Sequence, residues 1–294
     1  MKNFRYLSPL SLEEVFALCQ EYGMGTCLLA GGTDLLPRMK KGAIHPACLI
    51  DLKAIAHLNG IGPDDHGGLR IGALTSISAL AQNPLIAQSY LLLAEAAESI
   101  GSPQVRNRGT IGGNLSNASP SADLAPPLLV LGACAHVIGP AGERVVPLND
   151  FFLGPGRTVL NAGEILTAVQ VPPFPSSSGG IYLKFSRREG MDLAIVGVAC
   201  LVSLDREGRC TRARIALGAV APVPLRATKA EESMAGKGFG AESIAEVSRI
   251  AADEAQPISD IRASAEYRRE IIRVLVKRAL EISRERAAQG GRGA

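Results

Sequence analysis

The chain has 294 residues, 47% of them hydrophobic, which is too long for one ordinary domain and ample for two buried cores. The 31 basic and 28 acidic residues are mixed along the sequence, so the net charge of +3 gives no basic stripe for a nucleic-acid backbone, and with 4% aromatics and no Trp there is no platform for stacking bases. Six cysteines, at 19, 27, 48, 134, 200 and 210, form no CxxC pair, and the four histidines (45, 57, 66 and 136) are scattered, so neither zinc nor iron–sulfur ligation is expected and the thiols read as buried groups of a reducing cytoplasm.

The N-terminus reaches Glu13 and Glu14 before any long apolar region develops, which argues against a secretory signal. The most apolar stretch, 124–138, is interrupted by Pro126, Pro127 and His136 and falls short of the roughly 18 apolar residues of a membrane span. Ser11-Leu12-Glu13-Glu14 reads as a capping box that opens a helix with Val15, Leu18, Cys19 and Tyr22 on its apolar face, and Gly23 ends it. A short strand over 26–30 stops at Gly31-Gly32, and Thr33 or Asp34 can then cap a short helix through Leu35 and Leu36. Strands at 48–52 and 69–73, a capped helix from Thr75 and a longer helix over 85–99 closed by Gly101 continue an alternating α/β pattern. Residues 101–127 are rich in small and turn-forming types and read as a ligand-facing connection.

The Pro-, Ser- and Gly-dense segment 172–180 is the clearest linker, and the domain boundary is placed there. Beyond it strands are expected at 181–187, 193–204 and 211–220, with a turn at 205–208. Helices at 241–255 and 266–287 follow, then a frayed tail from 289. The expected fold is α+β: residues 1–173 form an α/β region, and residues 179–288 a smaller domain with an antiparallel sheet and C-terminal helices.

Two segments stand out: Ala30-Gly31-Gly32-Thr33-Asp34 and Thr110-Ile111-Gly112-Gly113-Asn114. Paired glycines let main-chain N–H groups approach an anion closely, and a neighbouring Thr or Asn adds a side-chain donor. Two such loops could grip one diphosphate from both sides, although each alone reads equally well as a tight turn. The familiar nucleotide fingerprints are missing. Gly23-Met24-Gly25 lacks the third glycine of a Rossmann motif and precedes a strand, while Gly236-Lys237 has neither the upstream glycine nor the following Ser or Thr of a P-loop.

Those two segments with Leu35-Leu36-Pro37, Leu115, Pro120-Ser121-Ala122-Asp123 and Ser186-Arg187-Arg188 come in the order and spacing of the FAD-binding subunits of molybdenum hydroxylases. The chain resembles the medium subunit of the carbon monoxide dehydrogenase and xanthine dehydrogenase family over nearly its whole length. The resemblance implies a PCMH-type FAD-binding region of two subdomains split near 55, followed by a CO dehydrogenase flavoprotein C-terminal-like domain. It implies non-covalent FAD with its diphosphate held by donors from Ala30, Gly31, Gly32, Thr33 and Asp34 and from Thr110, Gly112, Gly113 and Asn114.

It also implies that Asp123 bonds the nucleotide portion, that Leu166 packs near the flavin and that Lys184 lies near the ring, where a cation would favour the reduced form. On sequence alone Asp123 serves as well as a helix cap, Leu166 as a core strand residue and Lys184 as a solvated lysine. Arg187 and Arg188 are expected to be structural, one of them paired with Asp192 or Glu189.

By the same resemblance the molybdenum cofactor sits on a large partner and [2Fe-2S] clusters on a small one, in a cytoplasmic dimer of heterotrimers that neither binds nucleic acid nor enters a membrane. This chain then relays electrons to NAD, oxygen or a quinone-like acceptor with no substrate-transforming acid or base of its own. The cysteine-rich insertion of the benzoyl-CoA reductase branch is missing. A self-contained flavoenzyme with the same two-loop FAD architecture, resembling enolpyruvyl-sugar reductases or aryl-alcohol oxidases, is the rival reading, and a non-catalytic nucleotide-binding protein the third.

Overall fold

The computed structural model describes residues 2–188 and 190–290. The chain begins with β1 (Arg5–Leu7), α1 (Leu12–Tyr22), β2 (Thr26–Leu29), α2 (Leu35–Lys40) and β3 (Cys48–Asp51). The three strands form a parallel sheet in the order β1-β3-β2, with the central strand buried at all four positions. The capping box at α1 is made by Ser11 Oγ, which accepts the Glu14 N–H, while the Glu14 carboxylate reaches the Leu10 N–H rather than that of Ser11. Leu29 of β2 lies opposite Asp51 of β3, so the chain leaves β2 into the first glycine segment at the C-terminal edge of the sheet, where α/β folds place ligands.

The second layer contains β4 (Ile61–Pro63), β5 (Leu69–Gly72), α3 (Ile77–Gln82), α4 (Pro84–Ser89), α5 (Leu91–Glu98), α6 (Pro103–Arg108), α7 (Ile111–Ser116) and α8 (Ala125–Leu131). It is completed by β6 (Cys134–Gly139), β7 (Gly142–Pro147), the short pair β8 (Phe152–Gly154) and β9 (Arg157–Thr158), and β10 (Ile165–Val171). The sheet runs β4-β5-β10-β6-β7 with every pairing antiparallel. The six helices between β5 and β6 pack against it around a core that includes Ile71, Leu93, Ile111, Leu128 and Val169.

Three local expectations are corrected here. Thr75 does not cap α3, because its hydroxyl is exchanged with the backbone of Gly60, and Ser76 takes the cap instead. The single helix over 85–99 is two, broken at Tyr90, whose ring is buried and whose hydroxyl donates to the Pro172 carbonyl. The connection 101–127 is largely helical, and the second glycine segment is not a loop: Gly112 and Gly113 lie in the first turn of α7, which Thr110 caps.

The third layer has β11 (Ser178–Phe185), β12 (Val196–Leu204), β13 (Cys210–Gly218) and β14 (Leu225–Arg226), antiparallel in chain order, followed by α9 (Thr228–Met234), α10 (Ala241–Glu254) and α11 (Ala265–Gly290). The expected linker ends early, since Ser178-Gly179-Gly180 belong to β11. Gly179 is small because α11 crosses it: a Cβ there would lie 2.3 Å from both the Ala287 nitrogen and the Ser283 carbonyl oxygen. The expected strand over 193–204 starts at Val196, and α9 had no sequence signal strong enough to be expected. The helix carries past 289 to Gly290, and 291–294 lie outside the described residues.

Helix α8 joins the second and third layers. It is buried at every residue, packs on β12 and β13, and its C-terminal carbonyls at Val130 and Leu129 accept from Arg214 (2.8 Å) and Arg226 (3.4 Å). Among the described residues no helix is long and apolar enough to cross a membrane.

Candidate functional site

The two glycine segments, some eighty residues apart in sequence, face one another across a cavity of ≈ 270 Å³. It is lined by Ala30, Gly31, Gly32, Thr33 and Asp34 on one side and by Thr110, Gly113 and Asn114 on the other. The segments also touch. A Cβ on Gly31 would lie 2.0 Å from the Arg108 carbonyl oxygen, a distance that no side chain can relieve, so glycine is required for the two backbones to meet. Gly32 has φ +78°, a left-handed conformation that turns the chain from β2 into α2. Gly112 does not line the cavity; it faces β5, where a Cβ would sit 2.7 Å from the Ala73 carbonyl oxygen. Its smallness serves the packing of α7, and its N–H is taken by the Ala73 carbonyl.

The donor inventory of the two segments is asymmetric. Among the described residues the backbone N–H groups of Gly31, Gly32, Thr33 and Asp34 donate to no protein acceptor. Four successive unpaired N–H groups beside a cavity and next to the start of a helix form an anion-binding concavity. In the second segment four of the five N–H groups are already used: Ile111 donates to Thr75 O, Gly112 to Ala73 O, Asn114 to Thr110 O, and Gly113 to Thr110 Oγ1, while among the described residues that of Thr110 donates to no protein acceptor. What this side can offer a ligand is therefore the Thr110 N–H and hydroxyl proton and the Asn114 amide. The Asn114 side-chain oxygen is buried without any partner among the described residues, a costly arrangement that a ligand donor would relieve.

Asp123, Lys184 and Leu166 lie outside this cavity. Asp123 caps no helix: one carboxylate oxygen accepts from the Tyr182 hydroxyl at 2.7 Å and the other from Lys184 Nζ at 2.9 Å. Lys184 Nζ also donates to the Ser99 carbonyl, and both charged side chains are at least nine-tenths buried, so Lys184 is not the solvated lysine that strand alternation allows. Burial pushes the Asp123 carboxyl above its ordinary range, opposed by the Lys184 ammonium and the Tyr182 hydroxyl. Burial and the adjoining carboxylate together hold the Tyr182 hydroxyl well above its ordinary value. Gly197, opposite Lys184 on β12, makes room for that hydroxyl, because a Cβ there would lie 2.6 Å from it.

Lys184 lines a second cavity, ≈ 750 Å³, bounded by the 98–106 connection and the 184–192 turn. Ile100 on the wall of the first cavity and Ser99 and Gly101 on that of the second place the two cavities side by side. Arg188 Nε stands 3.8 Å from Asp192 and is largely exposed, a weak pair, while Glu189, its alternative partner, lies outside the described residues. Leu166 is buried in β10, paired with Val137, and belongs to the same core cluster as Ile111 and Leu115 of α7 rather than lining either cavity.

Several lining residues escaped the sequence reading. Ile77, Ile100 and Val105 form an apolar wall of the first cavity, and Arg38 adds a cation from α2. Nothing in their local pattern separates Ile77 and Ile100 from core residues. Arg38, three residues past the expected helix start, carried a usable signal: a basic residue one turn from an anion-binding loop.

A concavity of free backbone donors faced by a capped helix start, with an apolar wall and an adjoining larger cavity, has the donors and the room that an anionic group such as a nucleotide diphosphate needs. Comparison with known proteins fixes the family. The profile of the FAD binding domain in molybdopterin dehydrogenase matches residues 2–174, and that of the CO dehydrogenase flavoprotein C-terminal domain matches residues 181–282. The chain is 38% identical to the carbon monoxide dehydrogenase medium chain of Hydrogenophaga pseudoflava, covering 97% of this chain and 99% of that one. It is 35% identical to the xanthine dehydrogenase FAD-binding subunit of Escherichia coli O157:H7, over 90% of each chain.

Among solved structures, carbon monoxide dehydrogenase from Hydrogenophaga pseudoflava superposes with a TM-score of 0.93 over 97% of this chain and 98% of that one, at 38% identity. Quinoline 2-oxidoreductase from Pseudomonas putida 86 superposes with a TM-score of 0.91 over 99% and 100%, at 31% identity. This chain belongs to the FAD-binding medium-subunit family of the molybdopterin dehydrogenases.

Proposed function

We propose that the cavity between the glycine segments holds the diphosphate of FAD, and that this chain is the FAD-bearing electron-transfer subunit of a multi-subunit molybdenum hydroxylase. The observation that carries the site assignment is the run of four backbone N–H groups, Gly31 to Asp34, with no protein acceptor. The steric room at Gly113, whose Cβ would meet only Thr110 Oγ1 within 3 Å, fits the same ligand from the other side, and the unpartnered Asn114 oxygen calls for a donor, which the hydroxyl groups of FAD carry and its diphosphate does not. FAD bound there supplies the exchange of electron pairs and single electrons that no side chain of this chain can provide.

The protein groups have separable tasks in this reading. Gly31 to Asp34, the Thr110 hydroxyl and the Asn114 amide hold and orient the diphosphate. Ile77, Ile100 and Val105 keep water from one wall. Lys184 presents its ammonium to the adjoining cavity with Asp123 behind it as countercharge and Tyr182 fixing the carboxylate, so the cavity meets the positive end of a neutral pair. Leu166 belongs to the core shared with the helix that carries Asn114.

Substrate oxidation then belongs to a large molybdenum-cofactor subunit, and electrons arrive through the [2Fe-2S] clusters of a small subunit, in a dimer of heterotrimers. Residues 1–173, with subdomains meeting near 55, are assigned to FAD and 179–288 to the C-terminal domain. The six unpaired cysteines support a reducing, cytoplasmic setting. Co-expression with the two partner chains, size-exclusion chromatography and a dye-reduction assay test the reading. The chain alone should carry flavin without turning over organic substrate, and activity should appear with both partners. Substrate-dependent flavin reduction by the chain alone would overturn it in favour of a self-contained flavoenzyme.

A further inference from the structure

The first glycine segment is braced by a cluster that the FAD reading does not use. Asp51, at the end of β3, is 3% exposed. Its Oδ1 accepts from Lys53 Nζ at 2.6 Å and from the Lys53 N–H at 3.0 Å, and its Oδ2 accepts from the Tyr6 hydroxyl. From that position Lys53 Nζ reaches the Ala30 carbonyl oxygen at 3.4 Å, the outer edge of a hydrogen bond. Lys53 does not line the cavity, and its contact with the segment is the Ala30 carbonyl.

That peptide joins Ala30 to Gly31. A trans peptide is planar, with its C=O and N–H pointing in opposite directions, so a cation that holds the Ala30 oxygen also fixes the direction of the Gly31 N–H. The remaining freedom is small, because the Gly31 Cα is packed against the Arg108 and Gly109 backbone. The Gly31 N–H is the first of the four unpaired donors of the segment. A positive charge on the carbonyl side also polarises the peptide, making the N–H a better donor.

We infer that Lys53, held by Asp51 and Tyr6, is a positioning residue for the diphosphate: it clamps the Ala30 carbonyl and so keeps the Gly31 N–H aimed at the cavity. The inference rests on the FAD reading and adds three side chains to it. Surface lysines with a single fixed partner are commonly neutral to function, and the feature that separates Lys53 is its simultaneous hold on a buried carboxylate and on the one carbonyl that precedes the donor run.

The test measures FAD affinity by calorimetry and thermal melting of the FAD-free chain for wild type, Lys53→Met, Lys53→Arg, Asp51→Asn, Tyr6→Phe and Asp51→Asn/Lys53→Met. Lys53→Met should raise the FAD dissociation constant about tenfold, as expected for loss of one charge-assisted contact, and lower apo melting because the buried Asp51 loses its cation, whereas Asp51→Asn/Lys53→Met should recover the melting and not the affinity. Lys53→Arg should restore affinity to within about twofold, and Asp51→Asn and Tyr6→Phe should weaken binding in that order, because Asp51 holds Lys53 directly and Tyr6 holds it only through Asp51. Unchanged affinity in Lys53→Met would overturn the clamp, as would losses that track apo melting across the series, which would mark a merely structural role. Failure of the wild-type chain itself to bind FAD is a different result, and it would overturn the FAD reading together with the clamp.

Discussion

Lys184→Met is the perturbation whose consequence the structure changes most. On sequence alone, removing this cation should only make the bound flavin harder to reduce. In the fold, Lys184 is the ion partner of Asp123 at 2.9 Å, with side chains 10% and 7% exposed, so the variant also strands a carboxylate in the interior with only the Tyr182 hydroxyl for company. Removing one partner of a buried pair costs about 3–5 kcal/mol, and at roughly 2–4 °C per kcal/mol for a chain of this size the melting temperature should fall by on the order of 10 °C. Asp123→Asn/Lys184→Met removes both charges and keeps an acceptor for Tyr182, so the double variant should recover most of the loss. Thermal and urea unfolding of the FAD-free single and double variants gives the coupling, expected to be at least about 2 kcal/mol. A Lys184→Met protein that melts like wild type, or a double variant no more stable than the single, would refute the buried-pair argument. Where the flavin is retained, its midpoint potential should fall by about 30 mV for each 1.4 kcal/mol of lost preference for the reduced form.

Two further expectations concern separate parts of the chain. Asn114→Ala deletes a buried oxygen that has no partner, so the FAD-free chain should melt no lower than wild type while FAD affinity falls about fivefold to tenfold; calorimetry showing unchanged affinity would remove Asn114 from the site. Glu164 is held at about 2 by the Arg144 guanidinium and the Asn161 amide groups against a usual value of 4.5, so its contribution to stability is present above the unfolded value and is lost as pH falls from 4.5 toward 2. Unfolding curves of wild type and Glu164→Gln should therefore differ at pH 7 and converge near pH 2, and a gap that is the same at both ends would contradict the assignment.

The fold and the site were legible in the sequence to different depths. Strands at 26–30 and 48–52 and the late helices were visible because their apolar periodicity and end signals are local. Helices α6 and α7 were hidden because Pro103 and the paired Gly112 and Gly113 read as turn chemistry, whereas Pro103 occupies a first helical turn and Gly112 is small for the sake of Ala73. Gly179 misled in the same way: its composition signalled a linker, and the crossing of α11 that requires it lies more than a hundred residues away. In the site, the glycine pairs were evident as motifs, but the division of labour between them was not. Whether a backbone N–H is free depends on what packs opposite, and two of the partners that use up the second segment's donors, Ala73 and Thr75, come from the distant connection between β5 and α3. The Asp123–Lys184–Tyr182 cluster is equally non-local, joining a residue two positions before α8 to a strand some sixty residues later.

The central claim is that two facing segments grip a diphosphate, and FAD differs from FMN in carrying one. Calorimetric titration of the flavin-free chain with FAD and with FMN tests this directly. The account predicts one FAD per chain, bound non-covalently and at least about a hundredfold tighter than FMN, the difference expected when several backbone donors lose their second phosphate. Equal affinity for the two flavins, or FAD binding that survives with no preference over FMN, would contradict it.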